Sequence, residues 1–134
     1  MSTESNKLIM KKFVEFFNTS NVELSKEIIS EEAIFYAPTS SEPLRGFKGY
    51  MLILNMMRGS FPDVRWKLEE MIAEGESVAA RFTMTGTHKG DFFDIKPTGK
   101  NIKINVMNFY RFSKGKIVEE YGQPDIFCLL QQIK

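Results

Sequence analysis

The second half of this chain alternates apolar and polar residues over three long segments, and this pattern constrains the fold more than any other feature. Apolar side chains occupy every second position of residues 64–68, 78–84 and 102–112, apart from a polar residue in the last segment. Strict alternation places one set of side chains on a dry sheet face and the other set toward water. Turn sequences that contain glycine separate the segments. The sequence therefore predicts a long antiparallel meander that ends in a strand over about 117–121.

The first half of the chain has a helical period instead. Helical spacing relates Ile9, Phe13, Phe16 and Phe17, which predicts an amphipathic helix up to about residue 18. The capping-box pattern Ser20-Asn21-Val22-Glu23 opens a short second helix. A short strand over 33–37 and a third helix over 46–58 follow, and a short helix ends the chain. This order predicts an α+β fold in which helices pack on one face of a strongly curved antiparallel sheet and enclose a pocket.

Length and charge limit the possible functions. The 134 residues fit one domain, 1–134. A net charge of +1 without a basic block makes nucleic acid an unexpected partner. The first ten residues lack the apolar core of a signal peptide, and the longest apolar stretch, 51–57, is far shorter than the roughly 20 residues that span a bilayer. We therefore expect a cytoplasmic protein without a membrane segment. Cys128 is the only cysteine, so an internal disulfide is impossible.

Two polar residues share the parity of the predicted dry face. His88, the only histidine, continues the apolar positions of the second alternating segment, and Asn108 lies among those of the third. If they point inward, each needs a hydrogen-bond partner, because an unpaired buried polar group costs about 1–3 kcal/mol. The alternatives are a solvated loop for His88 and a bulged backbone for Asn108. Asp125 follows the last strand, where it is either a functional carboxylate or the N-cap of the final helix.

Several common chemistries lack their sequence patterns here. A single histidine and a single cysteine exclude the usual clustered zinc sites. Neither a phosphate-binding loop, nor a nucleophile-elbow serine, nor a dinucleotide fingerprint is present. The residues by themselves therefore give no indication of a clustered zinc site or of one of these binding motifs.

Several short sequence phrases follow one another in a characteristic order between residues 61 and 133. Phe61-Pro62-Asp63 comes first, and Gly86-Thr87-His88-Lys89-Gly90 is followed by Pro97-Thr98-Gly99. The next phrases are Tyr110-Arg111-Phe112 and Gly115-Lys116-Ile117-Val118-Glu119. The last is Asp125 followed by Leu129-Leu130-Gln131-Gln132-Ile133. This ordered set resembles the SnoaL-like polyketide (ester) cyclases of the NTF2-like superfamily over nearly the whole chain. The resemblance implies the cone-shaped NTF2-like fold.

The resemblance also implies a homodimer, a closed pocket, neither a metal nor an organic cofactor, and an aspartate near the end of the last strand as general acid/base. The matching residue is Asp125, and His88 matches a pocket histidine. The chain departs from the family at Glu120-Tyr121, where His-Trp is frequent, and at Asn108, where Asp or His is frequent. The residues expected at the pocket are His88, Asn108, Tyr110, Tyr36, Trp66, Phe82, Glu120 and Tyr121.

The sequence therefore predicts a cofactor-independent cyclase or isomerase-like enzyme that acts on a small hydrophobic carbonyl compound, with Asp125 as the acid/base. The alternatives are a protein that binds a small hydrophobic ligand without turnover, and a dimeric protein-interaction module. Met107 and Phe109 give the third alternating segment a second apolar face. A strand that is apolar on both faces indicates that both are covered, so we expect a homodimer through the outer face of the sheet.

Overall fold

The computed structural model describes residues 2–38 and 40–134. In chain order the elements are α1 (Thr3–Thr19), α2 (Val22–Ile28), β1 (Ile29–Tyr36), β2 (Leu44–Arg45), α3 (Gly46–Ser60), β3 (Arg65–Glu74), β4 (Ser77–Thr87), β5 (Asn101–Ser113), β6 (Lys116–Pro124) and α4 (Ile126–Ile133). Helices precede a long meander, so the predicted α+β class is confirmed. None of the helices in the described ranges is long and apolar enough to cross a membrane.

The six strands form one sheet in the order β2-β1-β6-β5-β4-β3. The strands β3 to β6 pair antiparallel with their chain neighbours, whereas β1 pairs parallel to β6. Register shifts interrupt the β3–β4 and β5–β6 ladders. Extra residues of this kind bend a strand and increase its twist, and they accompany the strong curvature of this open sheet.

The helices α1 and α3 cover the concave face of the sheet. On α1 the predicted apolar face is fully or almost fully buried at Phe13, Phe16 and Phe17. The ring of Phe17 makes edge contacts with Phe82 of β4 and with Trp66 of β3, at 5.5 Å between centroids in both cases. Aromatic pairs in such arrangements add stability beyond the area that they bury. This cluster fixes α1 across the sheet and forms one wall of the interior.

Most predicted elements are present, although the strands β1 and β6 are longer than predicted. Two further differences concern α2 and β2. The second helix begins one residue later than the capping pattern predicts: Asn21 is its N-cap and accepts from the Leu24 N–H, whereas Ser20 ends α1 in a left-handed conformation. Asn tolerates the cap position at least as well as Ser, so the sequence admits both. The short strand β2 was not predicted, because its two residues carry no periodicity of their own.

Candidate active site

A cavity of about 70 Å³ opens between α3 and the concave face of the sheet. Its apolar lining includes Trp66, Met56, Met57, Met84, Ile53 and Val106. Tyr50, Asn108 and Glu120 supply the polar groups. An apolar cavity with a few convergent polar side chains is the usual form of a small-molecule site. Its volume is enough for a few water molecules or for the reacting end of a ligand.

The position of Glu120 in this cavity depends on an irregularity of β6. Ile117 pairs with Phe112 and Glu119 with Arg111, so Val118 has no register partner on β5. Side chains alternate along a strand, and one extra residue reverses which of them point inward. Beyond the irregularity the buried residues of β6 are Glu120 and Gly122. Glu120 is only 4% exposed and belongs to the cavity lining.

Two tyrosine hydroxyl groups form hydrogen bonds with the Glu120 carboxylate. The Tyr50 hydroxyl of α3 donates to Glu120 Oε2 at 3.5 Å, and Tyr110 of β5 also hydrogen-bonds the carboxylate. Burial raises the pKa of Glu120 to about 7, and the two hydroxyl groups oppose part of that rise. Burial and the neighbouring carboxylate raise the pKa of both tyrosines well above its usual range. The tyrosines therefore remain donors, while Glu120 can gain or lose a proton near neutral pH.

Asn108 sets the direction of the hydrogen bonds at Tyr110. The backbone N–H of Gln123 donates to Asn108 Oδ1 at 3.1 Å, which identifies the other end of the side chain as the amide nitrogen. That Nδ2 group donates to the Tyr110 hydroxyl oxygen at 2.9 Å. Since Tyr110 accepts from Asn108, its own proton is free to go to Glu120. The chain of donors from Gln123 through Asn108 and Tyr110 therefore ends on the carboxylate, and Asn108 lies inward as its parity predicts.

The cavity contains no basic side chain among the described residues that line it. The lysine and arginine ion pairs of the described ranges all use other carboxylates, and Glu120 takes part in none. No group of three or more potential metal ligands occurs in residues 2–38 and 40–134. Glu120 is therefore a buried acid that is hydrogen-bonded but has no cation among the described side chains to balance its charge.

His88 is fully buried, but it does not line this cavity. Its Nδ1 atom accepts from the Thr98 N–H at 3.2 Å, and its ring lies 5.6 Å from that of Phe61. Because Nδ1 is an acceptor, the proton of the neutral ring is on Nε2. That atom is buried without a hydrogen-bond partner among the described residues. In this structure His88 closes the loop between β4 and β5, away from Glu120.

Asp125 occupies the N-cap of α4. Its carboxylate accepts from the Cys128 N–H at 3.0 Å, and the residue is exposed. It borders a separate surface depression together with Lys103 and Cys128, not the cavity that holds Glu120. The structure therefore separates Asp125 from the other polar residues predicted for the pocket, and its catalytic role remains a prediction.

The other predicted pocket residues divide between the two faces of the sheet. Trp66 lines the cavity, while Phe82 is buried against Phe17. Tyr36 and Tyr121 are register partners whose rings stack at 4.7 Å, and both are partly exposed on the outer face. The structure therefore gathers Asn108, Tyr110, Glu120 and Trp66 at or beside the cavity, and it places the other four elsewhere.

Tyr50 is the site residue that sequence reasoning missed. It shares the buried face of α3 with Leu54 and Met57, at positions i, i+4 and i+7. A tyrosine on the apolar face of a helix must find a partner for its hydroxyl group when it is buried. That requirement is the signal that points to a polar group opposite α3.

Comparisons with known proteins agree with this architecture. The family model described as SnoaL-like polyketide cyclase matches residues 7–133. IdmH, a candidate polyketide cyclase from Streptomyces antibioticus, is 25% identical with a TM-score of 0.84, over 94% of this chain and 96% of its own. A candidate polyketide cyclase from Acidithiobacillus ferrooxidans is 26% identical with a TM-score of 0.80, over 99% and 97%. AclR, a candidate hydroxylase from Streptomyces galilaeus, shares the fold at 23% identity with a TM-score of 0.84, over 98% and 86%. No curated protein sequence matches significantly.

Proposed function

This chain belongs to the SnoaL-like polyketide cyclase family, and on that premise we propose that it is a cofactor-independent cyclase or isomerase that enolises a small hydrophobic carbonyl compound. Glu120 is the general acid/base. The observation that carries the proposal is a buried carboxylate that lines an apolar cavity. That burial raises the pKa of Glu120 to about 7. A general base works best when its pKa lies near the operating pH, and active sites are where such shifts concentrate.

In the proposed reaction Glu120 takes a proton from the carbon next to a carbonyl group. The electron pair of the broken C–H bond moves toward the carbonyl oxygen and forms an enolate. Asn108 Nδ2 uses one N–H on Tyr110, and its second N–H is the donor for the enolate oxygen. The enolate carbon then attacks a second carbonyl of the same molecule, or an enolate that is conjugated with a double bond is protonated at a different carbon. Glu120 returns its proton to the new alkoxide in the first case and to carbon in the second.

Glu120 suits this role better than Asp125 for a structural reason. Its side chain is buried beside Trp66 and Tyr50 in the cavity, whereas Asp125 is exposed and its oxygen accepts from a backbone N–H. An apolar wall keeps a carboxylate basic and keeps water from the enolate. The carbonyl compound is therefore expected to present its reacting end to Glu120 and its apolar remainder to the methionine-lined mouth.

Proton exchange tests the proposal before the natural substrate is known. Neutral 1,3-diketones of different size are incubated with the protein in D₂O, and deuterium uptake at the central carbon is followed by NMR. Glu120→Gln should lower the protein-dependent rate by about 10²–10⁴, which is roughly 3–5 kcal/mol of transition-state stabilisation. Glu119→Gln is the matched control, because that neighbour is ion-paired to Arg111 on the outer face. It should keep the wild-type rate.

Asp125→Asn in the same assay decides between the two carboxylates. A loss of exchange in Asp125→Asn with retention in Glu120→Gln would overturn the assignment of Glu120 and restore Asp125. Binding of the diketones without protein-dependent exchange would favour a protein that holds a hydrophobic ligand without turnover.

A further inference from the structure

The unbalanced charge of Glu120 has a consequence for what the cavity can bind. A buried carboxylate is normally paired with a cation, because desolvation of a lone charge is costly. Two tyrosine hydroxyl groups satisfy part of the hydrogen-bonding capacity of Glu120. A carboxylate accepts at about four lone-pair positions, so further acceptor positions remain. They belong to a side chain that lines the cavity.

Although the lining of the cavity is apolar, some of its side chains interact favourably with a positive charge. Trp66 lines the cavity, and indole is the aromatic ring that attracts cations most strongly. Met56, Met57 and Met84 contribute polarisable thioethers on a wall that adapts to different shapes. Because no lysine or arginine is among the described lining residues, the position beside the Glu120 carboxylate is open to the cation of a ligand.

We propose that the cavity is a binding site for a hydrophobic amine, whose ammonium group pairs with Glu120 while its apolar body contacts Trp66 and the methionines. The volume of about 70 Å³ accommodates an ammonium head. The body extends through the opening beside Met56, which is 38% exposed. The ammonium N–H groups donate to the carboxylate oxygens and supply the positive charge that the described lining residues lack. The site concerned is that of the proposed reaction, but this inference does not require turnover.

Isothermal titration calorimetry with two probes of the same shape tests the site on the full chain. Cyclohexylmethylamine carries an ammonium group below about pH 10, as lysine does, and cyclohexylmethanol is its neutral counterpart. At pH 8 the amine should bind about tenfold more tightly than the alcohol, because Glu120 is then ionised. At pH 5.5 the carboxyl is protonated and this advantage should disappear. The affinity of the alcohol should change less than twofold.

Two variants identify the group that is responsible. Glu120→Gln should remove the preference for the amine at pH 8 and leave binding of the alcohol in place, and circular dichroism confirms that the variant is folded. Glu119→Gln, with the same change on the outer face, should keep the preference. Equal binding of the two probes to the wild-type protein at pH 8 would overturn the inference, as would an amine preference that survives in Glu120→Gln. Diketone exchange that depends on Glu120 would still support the proposed reaction in either case.

Discussion

Glu119 and Glu120 are consecutive residues of β6 in opposite environments. Glu119 lies on the outer face and pairs with Arg111 at 3.2 Å. Glu120 is buried on the inner face and accepts only from neutral donors. Exposed ion pairs contribute little to stability because water screens them. Burial of a carboxylate without a cation, in contrast, shifts its pKa and thereby affects the stability of the fold. The chemistry of a carboxylate here is decided by the face on which it lies.

The outer face differs from the inner face in a second respect. Register partners relate Ile72, Ala79, Phe109, Tyr121 and Tyr36 in one row across five strands. Every member of this row is exposed in the described chain. We call these five residues the outer row. A contiguous apolar surface of this kind is typical of interfaces, so it supports the homodimer that the sequence predicts.

The largest expected effect on stability comes from Glu120→Gln and depends on pH. The folded-state pKa of Glu120, about 7, lies above the usual glutamate value of 4.5. The folded protein therefore binds this proton more tightly, and stability from this group is lost as the pH rises from 4.5 to 7. Glu120→Gln should raise the free energy of unfolding by about 3 kcal/mol at pH 8 and change it little at pH 4. Urea unfolding at the two pH values measures the difference.

Glu119→Gln should show no such gain at either pH, because its partner Arg111 is half exposed and solvent screens the pair. A gain at pH 8 in both variants would show that net charge, and not burial, controls stability. The contrast between the two faces would then be wrong.

Charge introduced into the outer row should weaken self-association next. In Phe109→Lys, the centre of the row becomes cationic beside Arg111, whose guanidinium lies 5.8 Å from the Phe109 ring centroid. A hot-spot residue at the centre of an interface contributes about 2 kcal/mol or more. The dissociation constant of the dimer should therefore rise at least about thirtyfold. Sedimentation equilibrium measures it. Phe93→Lys, on an exposed phenylalanine of the β4–β5 loop, should leave association unchanged. A wild-type monomer at micromolar concentration would contradict the homodimer.

A smaller effect tests the hydrogen-bond chain behind the cavity. Asn108→Asp removes the donor to Tyr110 and adds a negative charge near Glu120, so the carboxyl should become harder to ionise. Its NMR titration midpoint should rise by about one pH unit, or about 1.4 kcal/mol. Asn105→Asp is the control, because Asn105 is exposed on the same strand. An equal shift in both variants would mean that general charge, and not the chain through Tyr110, acts on Glu120.

The smallest effect is expected at Asp125. Asn keeps an oxygen that can accept from the Cys128 N–H, so Asp125→Asn should change the free energy of unfolding by only a few tenths of a kcal/mol. Asp125→Ala removes the cap and should cost about 1 kcal/mol. Chemical denaturation of both variants checks the order, and an equally large loss in both would contradict a capping role.

Much of the architecture follows from local patterns in the sequence. The alternation around residues 78–84 and 102–112 predicts which side chains of β4 and β5 point inward, and the inward position of Asn108 is confirmed. The burial of Phe13, Phe16 and Phe17 follows from helical spacing in the same way. These predictions succeed because a period of 2 or 3.6 residues and the burial of apolar area are properties of a short segment. The single domain and the cytoplasmic location remain predictions.

The site itself depends on contacts between distant segments. The sequence alone presents Glu119, Glu120 and Tyr121 in a row without indicating which of them faces the pocket. The unpaired Val118 decides this, and it exists because the β5–β6 register shifts in the folded sheet. Tyr50 and Glu120 are 70 positions apart in the sequence, and they meet only because α3 packs across the sheet. The sequence thus determined the elements and their buried faces. The tertiary structure decided which carboxylate is buried, because desolvation depends on every segment that surrounds it.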